Sequence, residues 1–99
     1  MTNLTIIGNG NMARGIAIRA LAGGLAVEIL GQDAAKAQEL ATELGAGATF
    51  GTTVDAPQGD IVVLAVPFDA AKSIVRAYGD ALAGKTVVDI TNPVNFETF

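Results

Sequence analysis

The feature that most restricts this chain is a glycine turn set between two kinds of hydrophobic pattern. Leu4-Thr5-Ile6-Ile7 is a short, β-branched apolar run that stops at Gly8, which reads as a buried strand. Asn9-Gly10-Asn11-Met12-Ala13 follows, and then Ala13, Ile16, Ala17, Ala20 and Leu21 recur at helical spacing until Gly23-Gly24. A G-x-G-x-x-A pattern is weak evidence alone, but between a strand and a helix each position has a physical task. Gly8 allows the tight turn, and Gly10 lets a phosphate approach the backbone with no Cβ in the way. Ala13 is small enough to keep the helix close to the sheet. The helix N-terminus then offers unpaired N–H groups and partial positive charge to a pyrophosphate. The turn therefore predicts a nicotinamide dinucleotide site.

The remaining chain repeats the same alternation. Residues 26–30 read as a second strand ending at Gly31, and Ala37, Leu40, Ala41 and Leu44 as a helical stripe closed by Gly45. A weak third strand is expected over 48–50. The run 61–66 is the clearest strand, cut off by Pro67, and Ala71, Ile74, Val75 and Tyr78 form the next helical face. Residues 86–90 complete a fifth strand, before Thr91-Asn92-Pro93. Strands and helices that alternate through short links require right-handed parallel crossovers. The expected fold is an α/β, Rossmann-type open parallel sheet in the order 3-2-1-4-5, with helices on both faces and a crevice beside strand 1. With no repeat, low-complexity tract or linker, residues 1–99 read as one domain.

Composition narrows the ligand classes. Hydrophobic residues make up 51% and charged residues 16%, as suits strands covered on both faces. The net charge is −4, with six scattered basic residues, so nucleic acid is not expected as a partner. There is no cysteine and no histidine, which removes disulfides, thiolate zinc sites and the commonest general base. No metal site is expected. No basic stretch precedes a long apolar run and no apolar run is long enough to cross a membrane, so a cytoplasmic protein without membrane contact is expected. The glycine turn lacks the Gly-Lys-Ser/Thr ending of a P-loop NTPase.

Several residues near the turn have two readings. After strand 2 the chain reads Gly31-Gln32-Asp33-Ala34-Ala35-Lys36. Asp33 can bond a ribose hydroxyl or cap the next helix; Lys36 can meet a 2′-phosphate or sit on a solvated face. Arg14 reads as a solvated arginine within reach of a phosphate. Gly15, costly inside a helix, is expected to allow close packing on a strand. Val66-Pro67 and Asn92-Pro93-Val94 end two strands where ligands of open α/β sheets bind. They line the nicotinamide half or are ordinary strand-ending turns. Asp69 is expected to cap its helix, and Asp89 to be hydrogen-bonded locally.

The segments Ile7-Gly8-Asn9-Gly10-Asn11-Met12-Ala13-Arg14-Gly15, Val63-Leu64-Ala65-Val66-Pro67 and Val88-Asp89-Ile90-Thr91-Asn92-Pro93-Val94 together resemble the coenzyme F420-dependent NADP oxidoreductases. The resemblance covers essentially the whole chain. The pyrroline-5-carboxylate reductases and the oxidoreductase domains of metalloreductases share a similar start. The resemblance implies that Asn9, Gly10, Asn11 and Met12 hold the dinucleotide phosphates. It also implies that Lys36 helps hold the 2′-phosphate and that Val66 and Pro67 pack near the nicotinamide. NADP, or NAD, is then the cofactor, and a deazaflavin, coenzyme F420, the co-substrate of hydride transfer. That chemistry belongs to the cofactors and implies no catalytic side chain from this stretch.

Two departures stand out. NADP-preferring members carry Ser-Arg or Thr-Arg where this chain has Gly31-Gln32, so the planar fork that suits phosphate is missing and NAD or dual use is open. Members also continue for about as many residues again. The expectation is a fragment or isolated N-terminal domain that binds cofactor, turns over little, and self-associates through uncovered apolar faces. The competing readings are a non-catalytic NAD(P)-binding sensor or scaffold and a reductase of a small imine or ketone.

Overall fold

Each strand of this protein pairs in parallel with its neighbours, and the pairing decides where the strands end. The computed structural model describes residues 2–8, 10–45, 47–53, 56–66 and 68–90, the side chains of 68–71 and 89 excepted. The elements are β1 (Leu4–Ile7), α1 (Asn11–Ala22), β2 (Val27–Gly31), α2 (Ala34–Leu44), β3 (Thr49–Thr52), β4 (Ile61–Leu64), α3 (Phe68–Tyr78), a 3-10 turn (Gly79–Leu82) and β5 (Thr86–Asp89). The sheet order is β3-β2-β1-β4-β5. This is the expected order, reversing direction beside β1.

Successive side chains of a strand face opposite sides, and the core divides accordingly. Leu4, Ile6, Val27, Ile29 and Val63 meet Ala13 and Ala17 of α1 and Ala37 and Leu40 of α2 on one face. Ile7, Leu30, Val62 and Leu64 meet Ile74 and Tyr78 of α3 on the other. Alanines at the contact points of α1 and α2 let both helices lie close to the strands.

Some boundaries differ from the sequence reading, for physical reasons. β4 ends at Leu64 rather than Val66, because its last pairing is with Ile7 and β1 itself stops at Gly8. Ala65 still donates its N–H to the Ile7 carbonyl at 2.8 Å. β3 runs to Thr52 because Glu28 to Gly31 supply partners over that span. β2 starts one residue late and β5 ends one early. Val75 was expected on the buried stripe of α3 but is 39% exposed. It stands about 100° around the helix from Ile74, off the line that Ile74 and Tyr78 press onto the sheet. Asp69 lies inside α3, which begins at Phe68, and so does not precede it as a cap.

Gly15 is a further correction. It is exposed, and a Cβ built on it meets nothing within 4 Å. Strand packing therefore does not explain this glycine, which points away from the sheet while Ala13 and Ala17 face it.

A buried polar network at the amino ends of the strands was not foreseen. Thr5 donates its hydroxyl to Glu28 Oε1 at 2.7 Å, and the same oxygen accepts the Gln58 N–H at 3.1 Å. Gly59 N–H donates to Thr5 Oγ1 at 2.8 Å, and Lys85 Nζ donates to the Gly59 carbonyl at 2.8 Å. Glu28 is 6% exposed, and these bonds satisfy it where an unpaired carboxylate would be costly. Gly59, in the link between β3 and β4, thus lies directly on β1. A Cβ on Gly59 would stand 2.6 Å from the Thr5 backbone nitrogen, so only glycine fits.

Candidate functional site

The carboxyl end of β1 is held from both sides. Gly8 donates its N–H to the Leu30 carbonyl of β2 at 2.7 Å. Its φ is +129°, which glycine alone reaches at low cost, and a Cβ there would lie 2.3 Å from the Ala65 carbonyl oxygen. The same Cβ would approach Val66 Cγ1 at 3.3 Å. The structure therefore brings the glycine turn and the end of β4 together, as the sequence reading anticipated for the crevice.

Gly10 is the N-cap of α1, with φ −88° and ψ −168°, a conformation open to any residue. A Cβ on Gly10 meets nothing within 4 Å. The first intrahelical bond runs from Arg14 N–H to the Gly10 carbonyl at 3.0 Å. Among the described residues no side chain caps the helix, and no acidic residue occupies its first turn. Among the described residues the first N–H groups of α1 thus have neither an intrahelical acceptor nor a capping side chain, and no acidic side chain of the first turn offsets the positive end of the helix dipole. Backbone and space fit an anion resting on Gly10, Asn11, Met12 and Ala13. Asn11 and Met12 are exposed, whereas Ala13 is buried against the sheet.

Beyond β2, Asp33 fills the capping role read for it. Asp33 Oδ1 accepts the Ala35 N–H at 2.9 Å and the Lys36 N–H at 3.4 Å, capping α2. Gln32 and Lys36 are exposed. A cleft of about 280 Å³ runs between α1 and α2, bounded by Gly10, Asn11 and Arg14 on one side and by Lys36, Glu39, Leu40 and Glu43 on the other. Arg14 is not simply solvated: its Nε donates to Glu43 Oε2 at 2.8 Å, with both side chains about half exposed.

Asn9, Pro67, Asn92, Pro93 and Val94 lie outside the described residues, as does the Asp89 side chain. Among the described residues no cluster of His, Cys, Asp and Glu could hold a metal ion. No helix among them is long and apolar enough to cross a membrane. Sequence reasoning missed the Arg14–Glu43 pair, which depends on how α1 and α2 pack. It also missed Gly59, whose sequence signal was Thr5 and Glu28 interrupting otherwise apolar strands.

The model of the family described as NADP oxidoreductase, coenzyme F420-dependent, matches residues 3–93. The chain belongs to that family. No curated protein sequence matches it. Among solved structures, the hypothetical protein SMa0349 from Sinorhizobium meliloti is 33% identical, with a TM-score of 0.82 over 100% of this chain and 48% of its own. A reductive aminase from Aspergillus terreus, in complex with NADPH4, cyclohexanone and allyl amine, is 29% identical with a TM-score of 0.78. That match covers 95% of this chain and 33% of the aminase. An imine reductase from Myxococcus stipitatus in complex with NADP+ is 27% identical, with a TM-score of 0.74 over 88% and 31% of the two chains. The chain thus spans about half the length of the first relative and about a third of the other two. It is a domain of an oxidoreductase family, and two of these solved neighbours were captured with NADPH4 or NADP+.

Proposed function

We propose that this chain carries the dinucleotide of a hydride-transferring oxidoreductase, with NADP(H) held across the carboxyl ends of β1 and β2 and coenzyme F420 as the hydride partner. The observation that carries the reading is the open space at Gly10, where a Cβ meets nothing above an uncapped helix end free of acidic residues. Gly8 shapes the turn, Asn9, Gly10, Asn11 and Met12 contact the pyrophosphate, and Ala13 seats the helix. Gln32, Asp33 and Lys36 surround the adenosine ribose. Val66 and Pro67, with Asn92, Pro93 and Val94, border the nicotinamide. Bound cofactor supplies the hydride chemistry; the chain binds and orients it.

In the same reading the protein works in the cytoplasm and the isolated chain binds cofactor with little turnover. Self-association is expected through apolar side chains such as Val87 and Val88 on the edge strand β5, each 40% exposed. Calorimetric titration with NADPH, and separately with NADH, tests the binding. Heat from neither, in a sample shown to be folded, would refute it.

A second reading, reduction of a carbon–nitrogen double bond, is favoured by the likeness to imine reductases and a reductive aminase. Following NADPH oxidation in the presence of oxidised F420 or of a cyclic imine separates the two. Consumption with the imine alone would overturn the deazaflavin assignment.

A further inference from the structure

The α1–α2 cleft carries an observation that pyrophosphate binding does not use. Arg14 and Lys36 face the same 280 Å³ space as Gly10 and Asn11. In a Rossmann-type fold the adenosine ribose of a dinucleotide is met by the residues that follow β2, and here Lys36 of that region shares the cleft with Gly10. A 2′-phosphate there adds nearly two negative charges. At the end of β2 the side chains of Gln32 and Asp33 supply no positive charge, and the Asp33 carboxylate is already engaged in capping α2. Lys36 is exposed and has no ion pair among the described residues, but it stands as a single point charge. The other cation on the cleft is Arg14, held by Glu43 at 2.8 Å.

We propose that Arg14 is the second cation of the 2′-phosphate subsite and that it exchanges Glu43 for the phosphate when NADP(H) binds. This rests on the dinucleotide reading above. Two properties of the pair support it. At about half exposure the ion pair is weak, so the guanidinium changes partner readily. A guanidinium also meets phosphate with two parallel N–H donors, which an ammonium does not. The charge count makes the residue decisive. Arg14 and Lys36 balance Glu39 and Glu43 across the cleft; without Arg14 one cation faces two carboxylates, and the cleft repels a 2′-phosphate. Preference between NADP and NAD is then set by the two helices, and Glu43 acts as the competitor that weakens it.

The test titrates the full chain and its Arg14→Gln and Glu43→Gln variants with NADPH and NADH at one fixed salt concentration, with circular dichroism to establish folding. Arg14→Gln is expected to weaken NADPH by roughly tenfold to a hundredfold, the range for a hydrogen bond to a charged group, and NADH by less than about twofold. Glu43→Gln is expected to tighten NADPH by about two- to fivefold, the worth of an exposed ion pair, and to leave NADH unchanged. An unchanged NADPH-to-NADH ratio in Arg14→Gln overturns the proposal while the dinucleotide site stands. An equal loss for both cofactors does the same. If the folded wild-type chain binds neither cofactor, the dinucleotide reading falls and this proposal falls with it.

Discussion

Gly10→Ala isolates the ligand role of the glycine turn from its structural role, because the structure assigns the added methyl no steric conflict. The Gly10 backbone has a conformation any residue adopts, and the new Cβ meets nothing within 4 Å. The folded state loses only the N-cap preference for glycine over alanine, about 0.5–1 kcal/mol, or roughly 2–8 °C in Tm for a domain of this size. In the proposed site the same methyl would stand where a phosphate approaches the N–H groups of Asn11 and Met12. Losing one such charge-assisted hydrogen bond weakens binding by roughly tenfold to a hundredfold. Gly8→Ala is the contrasting variant. Its Cβ would lie 2.3 Å from the Ala65 carbonyl oxygen at a φ of +129°, so strain and overpacking together remove about 2–6 kcal/mol. Thermal melts and NADPH titrations of both variants make the comparison. A folded Gly10→Ala chain that binds NADPH within twofold of wild type would refute the argument that this space belongs to the pyrophosphate.

Other substitutions probe the rest of the framework. Gly59→Ala forces the β3–β4 link off β1 and breaks the Gly59–Thr5 bond. A loss of about 2–4 kcal/mol is expected in urea unfolding, and a loss below about 0.5 kcal/mol would show that the link relaxes freely. Asp33→Ala removes the cap of α2 and is expected to lower stability by about 0.5–2 kcal/mol; a larger effect on NADH binding than on stability would show that Asp33 bonds the ribose as well. Gly15→Ala places a methyl in open space on an exposed helix face and is expected to raise stability by about 0.5–1 kcal/mol. A Tm that falls instead would mean that something packs closely on this face in solution.

The fold was legible because its signals are local. The runs at Ile6-Ile7, Ile29-Leu30 and Val62-Val63-Leu64 are apolar on both faces, which marks interior parallel strands, and all of them are buried. The Ala37, Leu40 and Leu44 stripe reports directly which side of α2 meets the sheet. What escaped depends on register and helix packing. Strand ends follow the partner strand, so β4 stops where β1 stops, although Ala65 and Val66 read as a continuation of the same apolar run. Val75 has the polarity of a core residue, but its angle around α3 turns it outward. At the site, Gly8 and Gly10 were each assigned their backbone task from sequence. The close approach that requires glycine at Gly59 comes from a segment 54 residues away along the chain, where Thr5 lies, and no local pattern encodes it.

Two sets of polar groups among the described residues stand at opposite ends of the sheet and differ in how they tolerate change. At the amino ends, Thr5, Glu28, Gln58, Gly59 and Lys85 form one hydrogen-bonded network joining β1, β2, the β3–β4 link and the start of β5. At the carboxyl ends, Gly10, Asn11, Arg14 and Lys36 face an open cleft, with the Arg14–Glu43 pair about half exposed. A satisfied buried network loses heavily when one member is removed, since the others are stranded away from water. An exposed pair loses little. Substitutions at the amino ends should therefore move stability while leaving the ratio of NADPH to NADH affinity fixed, and substitutions of the charged residues Arg14, Lys36 and Glu43 in the cleft should change that ratio with little effect on stability. The cleft can thus exchange charges through its half-exposed ion pair without unsettling the sheet that positions it.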